Sequence, residues 1–176
     1  MIFNSSPLII LSKLNKISLL KELYPKVEIS EGVYEEVVVK GLEKNLSDAL
    51  IIKDYIDKGH IKVCKLDPKH AETSQKISKI YGIANAEAET IALALQYSSK
   101  EVVIDERSAR ESAISFNIKP LGSLRILLLA YKKNLFDERV LKEVVHNMMS
   151  TNYRLSPSVL IEFWKLFEKL KRKRGK

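Results

Sequence analysis

Short apolar runs alternate with longer amphipathic segments along the whole 176-residue chain. The apolar runs predict strands. They lie at Met1–Phe3, Val27–Ile29, Ile61–Val63, Val102–Ile104 and, more weakly, Ile118–Leu121. Helical patterns fill the intervals, at Pro7–Leu14, Ile17–Tyr24, Glu31–Leu42, Leu46–Lys58, Ala71–Tyr81, Ala84–Tyr97, Arg107–Phe116, Ser123–Lys133, Asp137–Met149 and Pro157–Lys171. This alternation predicts an α/β fold whose central, mostly parallel sheet carries helices on both faces.

The segment that follows the first apolar run has the features of a strand-to-helix turn. Ser6 is a favoured helix N-cap residue, and Pro7 suits the first helical position. Asn4 therefore falls at the carboxyl end of a strand, where open parallel sheets bind their ligands. An ordinary turn asparagine is the alternative interpretation.

Two adjacent acids, Asp105 and Glu106, follow the fourth apolar run. Neighbouring carboxylates repel each other unless a cation or an arginine compensates. Metal ligation is one explanation. The other is an acidic helix start that pairs with Arg107 and Arg110 and complements the helix dipole.

Two helical patterns carry further acids. In the helix around residues 85–95, the apolar stripe consists of Ala88, Ile91, Ala92 and Leu95. Glu87 lies nearer to the edge of this stripe than Glu89, so it can reach inward. Glu35 and Glu36 both lie off the stripe of their helix, and periodicity does not choose between them.

Composition and charge restrict the class of protein. An apolar share of 45% and a charged share of 30% are typical of a globular chain. No apolar stretch approaches the roughly 18–20 residues of a membrane span, and no secretory signal is visible. The single cysteine, Cys64, cannot form an internal disulfide, which suits a cytoplasmic location.

The net charge of +8 is concentrated at the end of the chain. Six of the eight residues from Lys169 to Lys176 are basic, which leaves 24 Lys and Arg against 22 Asp and Glu elsewhere. This tail either binds the phosphates of a nucleic acid or an acidic partner, or it is a solvated helix end.

The last helix opens with Ser156 and Pro157, a second N-cap and first-turn pair. Its apolar stripe consists of Leu160, Phe163, Phe167 and Leu170. We expect this stripe to dock on the body, with a homodimer seam as the alternative. The predicted division is a domain at 1–155 and a C-terminal helix with a basic tail at 156–176.

Several segments, in order and approximate spacing, resemble the PIN-domain family, in particular its toxin-related prokaryotic branch. The segments are 2–9 (IFNSSPLI), 33–37 (VYEEV), 86–94 (AEAETIALA), 102–110 (VVIDERSAR), 121–130 (LGSLRILLLA) and 153–156 (YRLS). The resemblance implies a three-layer α/β/α sandwich with a sheet of four to five strands. It also implies a ribonuclease that uses Mg²⁺ or Mn²⁺, RNA as the partner, and a small antitoxin protein as a second partner.

The resemblance also assigns roles to residues. Catalytic and metal-binding acids are implied at Glu36, Glu87, Asp105 and Glu106, with Glu89 as the substitute for Glu87. RNA contacts are expected from Ser6, Arg107, Arg110 and Arg125. Asn4 occupies the position of the family's first aspartate, where its amide oxygen can still contact a hard cation but brings no charge.

Such a cluster suits metal-assisted phosphodiester hydrolysis, in which the ions activate water and stabilise charge on the phosphate. The alternative is a PIN-fold RNA- or protein-binding module in which the loss of the first aspartate has weakened catalysis. Asn4 is the residue on which these two hypotheses divide.

Overall fold

A five-stranded parallel sheet lies at the centre of the computed structural model, which describes residues 1–151, 153 and 155–174. The strands are β1 (Ile2–Phe3), β2 (Val27–Ser30), β3 (Ile61–Cys64), β4 (Glu101–Val103) and β5 (Lys119–Leu121). Their order across the sheet is β3-β2-β1-β4-β5. All five strands lie where the apolar runs predict them, and the parallel sheet is confirmed.

Helices connect the strands and follow the last one. They are α1 (Ser5–Lys13), α2 (Leu19–Leu23), α3 (Glu31–Tyr34), α4 (Lys40–Glu43), α5 (Ser47–Asp57), α6 (Pro68–Tyr81), α7 (Asn85–Gln96), α8 (Arg107–Ser115), α9 (Ser123–Lys132), α10 (Glu138–Ser150) and α11 (Pro157–Arg174). A π-helical turn, Glu35–Val39, lies between α3 and α4. The helix predicted as continuous over Glu31–Leu42 therefore contains one widened turn.

Serine and aspartate side chains cap the first turns of several of these helices. The Ser30 hydroxyl accepts a hydrogen bond from the Val33 amide (3.2 Å) at the start of α3. The Asp67 carboxylate accepts one from the His70 amide (2.8 Å) at the start of α6. These caps satisfy amides that have no partner within the helix.

The sheet has helices on both faces, which gives the three-layer α/β/α arrangement. Helices α6, α7 and α8 contact one another on one face, while α1, α5 and the π-helical turn contact one another on the other. The core beneath α7 includes Ile2, Ile91, Val102, Ile104 and Ala113, each at most 2% exposed. A buried sheet of this kind places its strand ends, and the residues after them, at a common edge.

The chain divides into two compact units, Met1–Ser123 and Leu124–Lys176. In the second unit, α11 begins at Pro157 as predicted, and the Ser156 hydroxyl accepts a hydrogen bond from the Val159 amide (3.4 Å). Phe163 and Phe167 of the predicted stripe are buried. The domain division at 155/156 stays a prediction. Arg154, Gly175 and Lys176 lie outside the described residues.

The prediction that Ser6 is the N-cap of the first helix is wrong. Helix α1 begins at Ser5, and Asn4 is its N-cap with an extended backbone (φ −86°, ψ 175°). Ser6 lies within the first turn, which frees its hydroxyl for a longer-range contact.

Candidate active site

Residue 4 and the residues after β4 meet at the carboxyl edge of the sheet. The Asn4 amide donates a hydrogen bond to the Val103 carbonyl (2.9 Å), which ties the end of β1 to the end of β4. The Asn4 side chain is only 2% exposed. This position is the one that the strand-end argument predicts for a ligand-binding residue.

Glu106 lies against the start of α1, and both of its carboxylate oxygens accept hydrogen bonds. Asn4 Nδ2 donates to Oε2 (3.2 Å), and the Ser6 hydroxyl donates to Oε1. The buried Thr90 hydroxyl lies 3.4 Å from Asn4 Oδ1 and donates to the Ala86 carbonyl (2.8 Å). Neutral donors thus hold the Glu106 carboxylate in place.

Glu36 reaches the same helix start from the π-helical turn. The Ser5 hydroxyl donates to Glu36 Oε2 (2.6 Å). Glu35 and Glu36 are both exposed, but Glu36 is the one that contacts α1. Widened turns of this type occur frequently at functional sites, because they re-aim side chains on an otherwise regular helix.

Glu87 completes the group from the start of α7. Its Oε2 accepts a hydrogen bond from the Ala84 amide (2.8 Å). This is one of the two hydrogen bonds of a capping box, the one from the backbone of the N-cap residue to the side chain three residues later. Burial raises the pKa of Glu87, and the negative charges of Glu106 and Glu36 raise it further, against the opposing effect of the Ala84 hydrogen bond. The three glutamates therefore share one electrostatic environment.

Asp105, the neighbour of Glu106, has a different hydrogen-bond partner. Its two oxygens accept hydrogen bonds from the Ser123 amide (2.8 Å) and the Ser123 hydroxyl (2.6 Å) at the start of α9. A side chain at Gly122 would place its Cβ 3.3 Å from Asp105 Oδ1, so a glycine leaves room for this contact. The predicted acidic pair thus splits, with Glu106 beside Asn4 and Asp105 beside Ser123.

The substitute acid, Glu89, is also separate from Glu87. Its Oε2 accepts a hydrogen bond from the Gly32 amide (2.7 Å) at the start of α3. Two residues apart on a helix, Glu87 and Glu89 point in different directions. Glu87 is therefore the glutamate of α7 that joins Glu36 and Glu106.

The basic residues predicted to contact RNA have other partners or lie in the other unit. Arg107 is exposed and pairs with Glu111 (2.8 Å). Arg110 donates from Nη1 to the Ile104 carbonyl (2.9 Å), so it supports the strand end. Arg125 is exposed on α9 and belongs to the second unit.

The oxygen atoms of these side chains, from carboxylates and an amide, are of the type that Mg²⁺ and Mn²⁺ prefer as ligands. Over the described residues, however, no three His, Cys, Asp or Glu side chains stand together as a metal-holding group. Asn4 also presents its amide nitrogen, rather than its oxygen, to Glu106. The residue types fit a divalent cation, and side-chain rotations would have to bring their oxygens together.

Two contributors were not among the sequence-predicted site residues, Ser5 and Thr90. The Ser5 hydroxyl donates to Glu36, and the Thr90 hydroxyl lies 3.4 Å from Asn4 Oδ1. Their positions carried a signal, because Ser5 is adjacent to Asn4 and Thr90 lies three residues after Glu87, on the same side of α7.

The five-stranded parallel sheet with helices on both faces is consistent with a PIN-like, nuclease-type fold. A family model described as a PIN domain matches residues 1–169, and the chain belongs to the PIN-domain family. Domains of this family generally depend on divalent metal ions and bind RNA. No curated protein and no solved structure is significantly similar to the chain. Among the described residues, every helix is too short or too polar to cross a membrane.

Proposed function

We propose that this protein is a metal-dependent endoribonuclease that hydrolyses phosphodiester bonds in RNA. One observation carries the proposal: Glu36 and Glu106, from two different elements, both accept hydrogen bonds from the first turn of α1 and lie close enough to Glu87 for their charges to raise its pKa. Repulsion among these carboxylates opposes folding, and a bound cation would offset it. Clusters of this kind are therefore common at functional sites. Family membership supports the same class of activity.

In this proposal, the three glutamates and the amide oxygen of Asn4 hold Mg²⁺ or Mn²⁺. When bound, the ion supplies charge stabilisation for the phosphate and activates water as the nucleophile. The neighbouring side chains are positioning residues: Ser6 holds Glu106, and Ser5 holds Glu36. Asp105 is a further ligand in this proposal, and the Ser123 amide and hydroxyl hold its carboxylate.

The finer assignments extend the same proposal. We infer a toxin of a toxin–antitoxin pair, with a small antitoxin partner, a cytoplasmic location and a homodimer as its assembly. The likeness of the quoted segments to the toxin-related branch supports the toxin and its antitoxin. The single cysteine supports the cytoplasmic location, and the homodimer is the alternative to docking for the apolar stripe of α11. Co-purification with the product of an adjacent small reading frame tests the antitoxin, and sedimentation tests the dimer.

The experiment on activity measures cleavage of a fluorescent single-stranded RNA in EDTA and across Mg²⁺ and Mn²⁺ titrations. We expect cleavage only with the divalent ion. Glu36→Gln, Glu87→Gln and Glu106→Gln should each lower it by at least about 100-fold, since even residues that merely orient ligands contribute about 10- to 100-fold. Glu35→Gln, in the same π-helical turn as Glu36, is the matched control and should retain activity.

One observation favours a binding module without catalysis, and the same assay decides between the two. Asn4 donates a hydrogen bond to Glu106, which satisfies this carboxylate without a cation. If the protein stays inactive at every ion concentration while Asn4→Asp switches cleavage on, the binding module replaces the nuclease as the conclusion.

A further inference from the structure

The solvent-facing side of α11 combines positive charge with an aromatic side chain. Ile161, Trp164, Lys165, Lys169, Arg172 and Lys173 line one open concavity along this helix. At 100° per residue they fall on the side opposite to the buried Phe163 and Phe167. We call these six residues the basic face.

The charges of the basic face are available to a ligand. In the part of the chain that the structure describes, no carboxylate oxygen lies within 4.0 Å of the charged groups of Lys165, Lys169, Arg172 or Lys173. Lys171 differs, because it points to α10 and pairs with Glu138 (2.7 Å). Glu168 is the one acid that lines the same concavity, so the face keeps a clear positive excess.

Trp164 stands at the border between the buried stripe and the basic face. It is half-buried, and its ring makes edge contacts with Phe163 (4.8 Å between centroids) and Phe167 (5.7 Å). Because two buried rings hold it, little side-chain entropy remains to be lost when a flat ligand stacks on it. A fixed aromatic platform beside a row of cations is the combination that single-stranded nucleic acids bind.

We propose that the basic face of α11 binds single-stranded RNA, with one base stacked on Trp164 and the phosphates along the four cations. From Ile161 to Lys173 the helix rises about 18 Å, a length that matches roughly five phosphates at about 3.4 Å per stacked nucleotide. An interfacial membrane helix would present its apolar side outward. Here that side is buried on the protein, and Ile161 and Trp164 are the apolar members of the outer face. This inference rests on the proposed function for its choice of RNA, and it adds a second binding surface.

The test measures binding in EDTA, with the full chain carrying Glu87→Gln, so that cleavage plays no part. Trp164 is the only tryptophan, so its fluorescence reports directly on stacking. We expect a labelled single-stranded RNA of about ten nucleotides to quench it. A polyphosphate of equal charge should bind with little quenching, because it has no bases.

The variants separate charge from stacking. Lys165→Gln/Lys169→Gln/Arg172→Gln should reduce the slope of log affinity against log salt by about 2, from about 0.7 per lost phosphate contact. The matched control, Lys13→Gln/Lys79→Gln/Lys100→Gln, removes three exposed charges elsewhere and should leave the slope unchanged.

Trp164→Leu should weaken RNA binding by about 5- to 150-fold, from the roughly 1–3 kcal/mol of a stacked base, and Trp164→Phe should restore part of it. Circular dichroism confirms that each variant is folded. The proposal is overturned if the two triple variants behave alike, if RNA leaves Trp164 unquenched, or if anionic phospholipid vesicles bind α11 more tightly than RNA does. None of these results alters the expectation for cleavage in Mn²⁺, so the two proposals fail independently.

Discussion

Replacing Asn4 by aspartate introduces a negative charge against Glu106, at the position that the PIN-domain resemblance assigns to an aspartate. Asn4 is 2% exposed, and its Nδ2 lies 3.2 Å from Glu106 Oε2. In Asn4→Asp, two carboxylate oxygens face each other at this distance and one hydrogen bond is lost. With an effective dielectric constant near 20, the repulsion of two unit charges at 3.2 Å is about 5 kcal/mol.

Two effects reduce this value. The introduced carboxylate and Glu106 together bind a proton more readily than either acid alone, which relieves part of the repulsion. The start of α1 also favours a negative charge by about 0.3–1 kcal/mol. We therefore expect Asn4→Asp to lower the free energy of unfolding by about 2–4 kcal/mol at pH 7.5 without metal, which corresponds to a loss of roughly 5–15 °C in Tm.

Thermal unfolding followed by circular dichroism measures this effect in EDTA and in Mn²⁺, at pH 7.5 and pH 5. Repulsion between the two carboxylates raises the pKa of one of them in the folded variant. Protonation at lower pH removes this repulsion, so the stability lost at pH 7.5 should return as the pH falls. Mn²⁺ at about 100 times its Kd adds about 2.7 kcal/mol, and the variant should gain more from it than the wild type. Asn15→Asp, at an exposed position after α1, is the control and should change Tm little.

The reasoning is refuted if Asn4→Asp is as stable as the wild type in EDTA at pH 7.5 and if Mn²⁺ shifts neither protein. Such a result would mean that the side chain at position 4 does not face Glu106. It would remove the basis for placing a cation between them.

Two further predictions concern packing and pH. Gly41 is buried, and a Cβ there would lie 2.6 Å from Ala49 Cβ, so Gly41→Ala should lower stability in urea by about 1–3 kcal/mol although alanine favours helices. A double-mutant cycle with Ala49→Gly should show a favourable coupling of at least about 0.5 kcal/mol; zero coupling would contradict the close approach of α4 and α5. Burial raises the pKa of the Cys64 thiol, and its hydrogen bond raises the pKa of Tyr97 to about 12. Since both raised pKa values favour the neutral groups in the fold, stability should be complete below about pH 8.5 and fall as the pH rises further. Urea midpoints from pH 7 to 11 measure this fall, which Cys64→Ala should reduce; a flat profile would be inconsistent with a buried Cys64 thiol that hydrogen-bonds to Tyr97.

The strands were predictable because most of the apolar residues in the five runs are buried in the sheet. The pattern is less informative within β2, where Glu28 is only 6% exposed and Lys26 compensates its charge (2.6 Å). A local pattern treats such a residue as a surface position. Its burial depends on a partner that the alternation of polar and apolar residues does not reveal.

The positions of the acids were predictable from the sequence, but the hydrogen-bond partner of each acid was not. Asp105 and Glu106 are adjacent, so both satisfy the strand-end argument. They differ in their hydrogen-bond partners, Ser123 and Ser6, which lie 18 and 100 residues away in the sequence. The choice of Glu36 over Glu35 likewise depends on the π-helical turn, which helical periodicity does not show.

The start of α1 shows what its polar residues contribute. Asn4 occupies the N-cap position and is one of the best capping residues, yet its side chain makes no capping hydrogen bond among the described residues. Forgoing such a bond costs about 0.5–2 kcal/mol. Asn4 and Ser6 instead contact Glu106, and Ser5 contacts Glu36. Local rules are typically broken where a site needs the residue for another purpose. A fold without use for these glutamates would gain stability by letting Asn4 cap its helix. The observed arrangement therefore favours a site that holds its carboxylates for a ligand, with Asn4 at the position that the PIN-domain resemblance assigns to an aspartate.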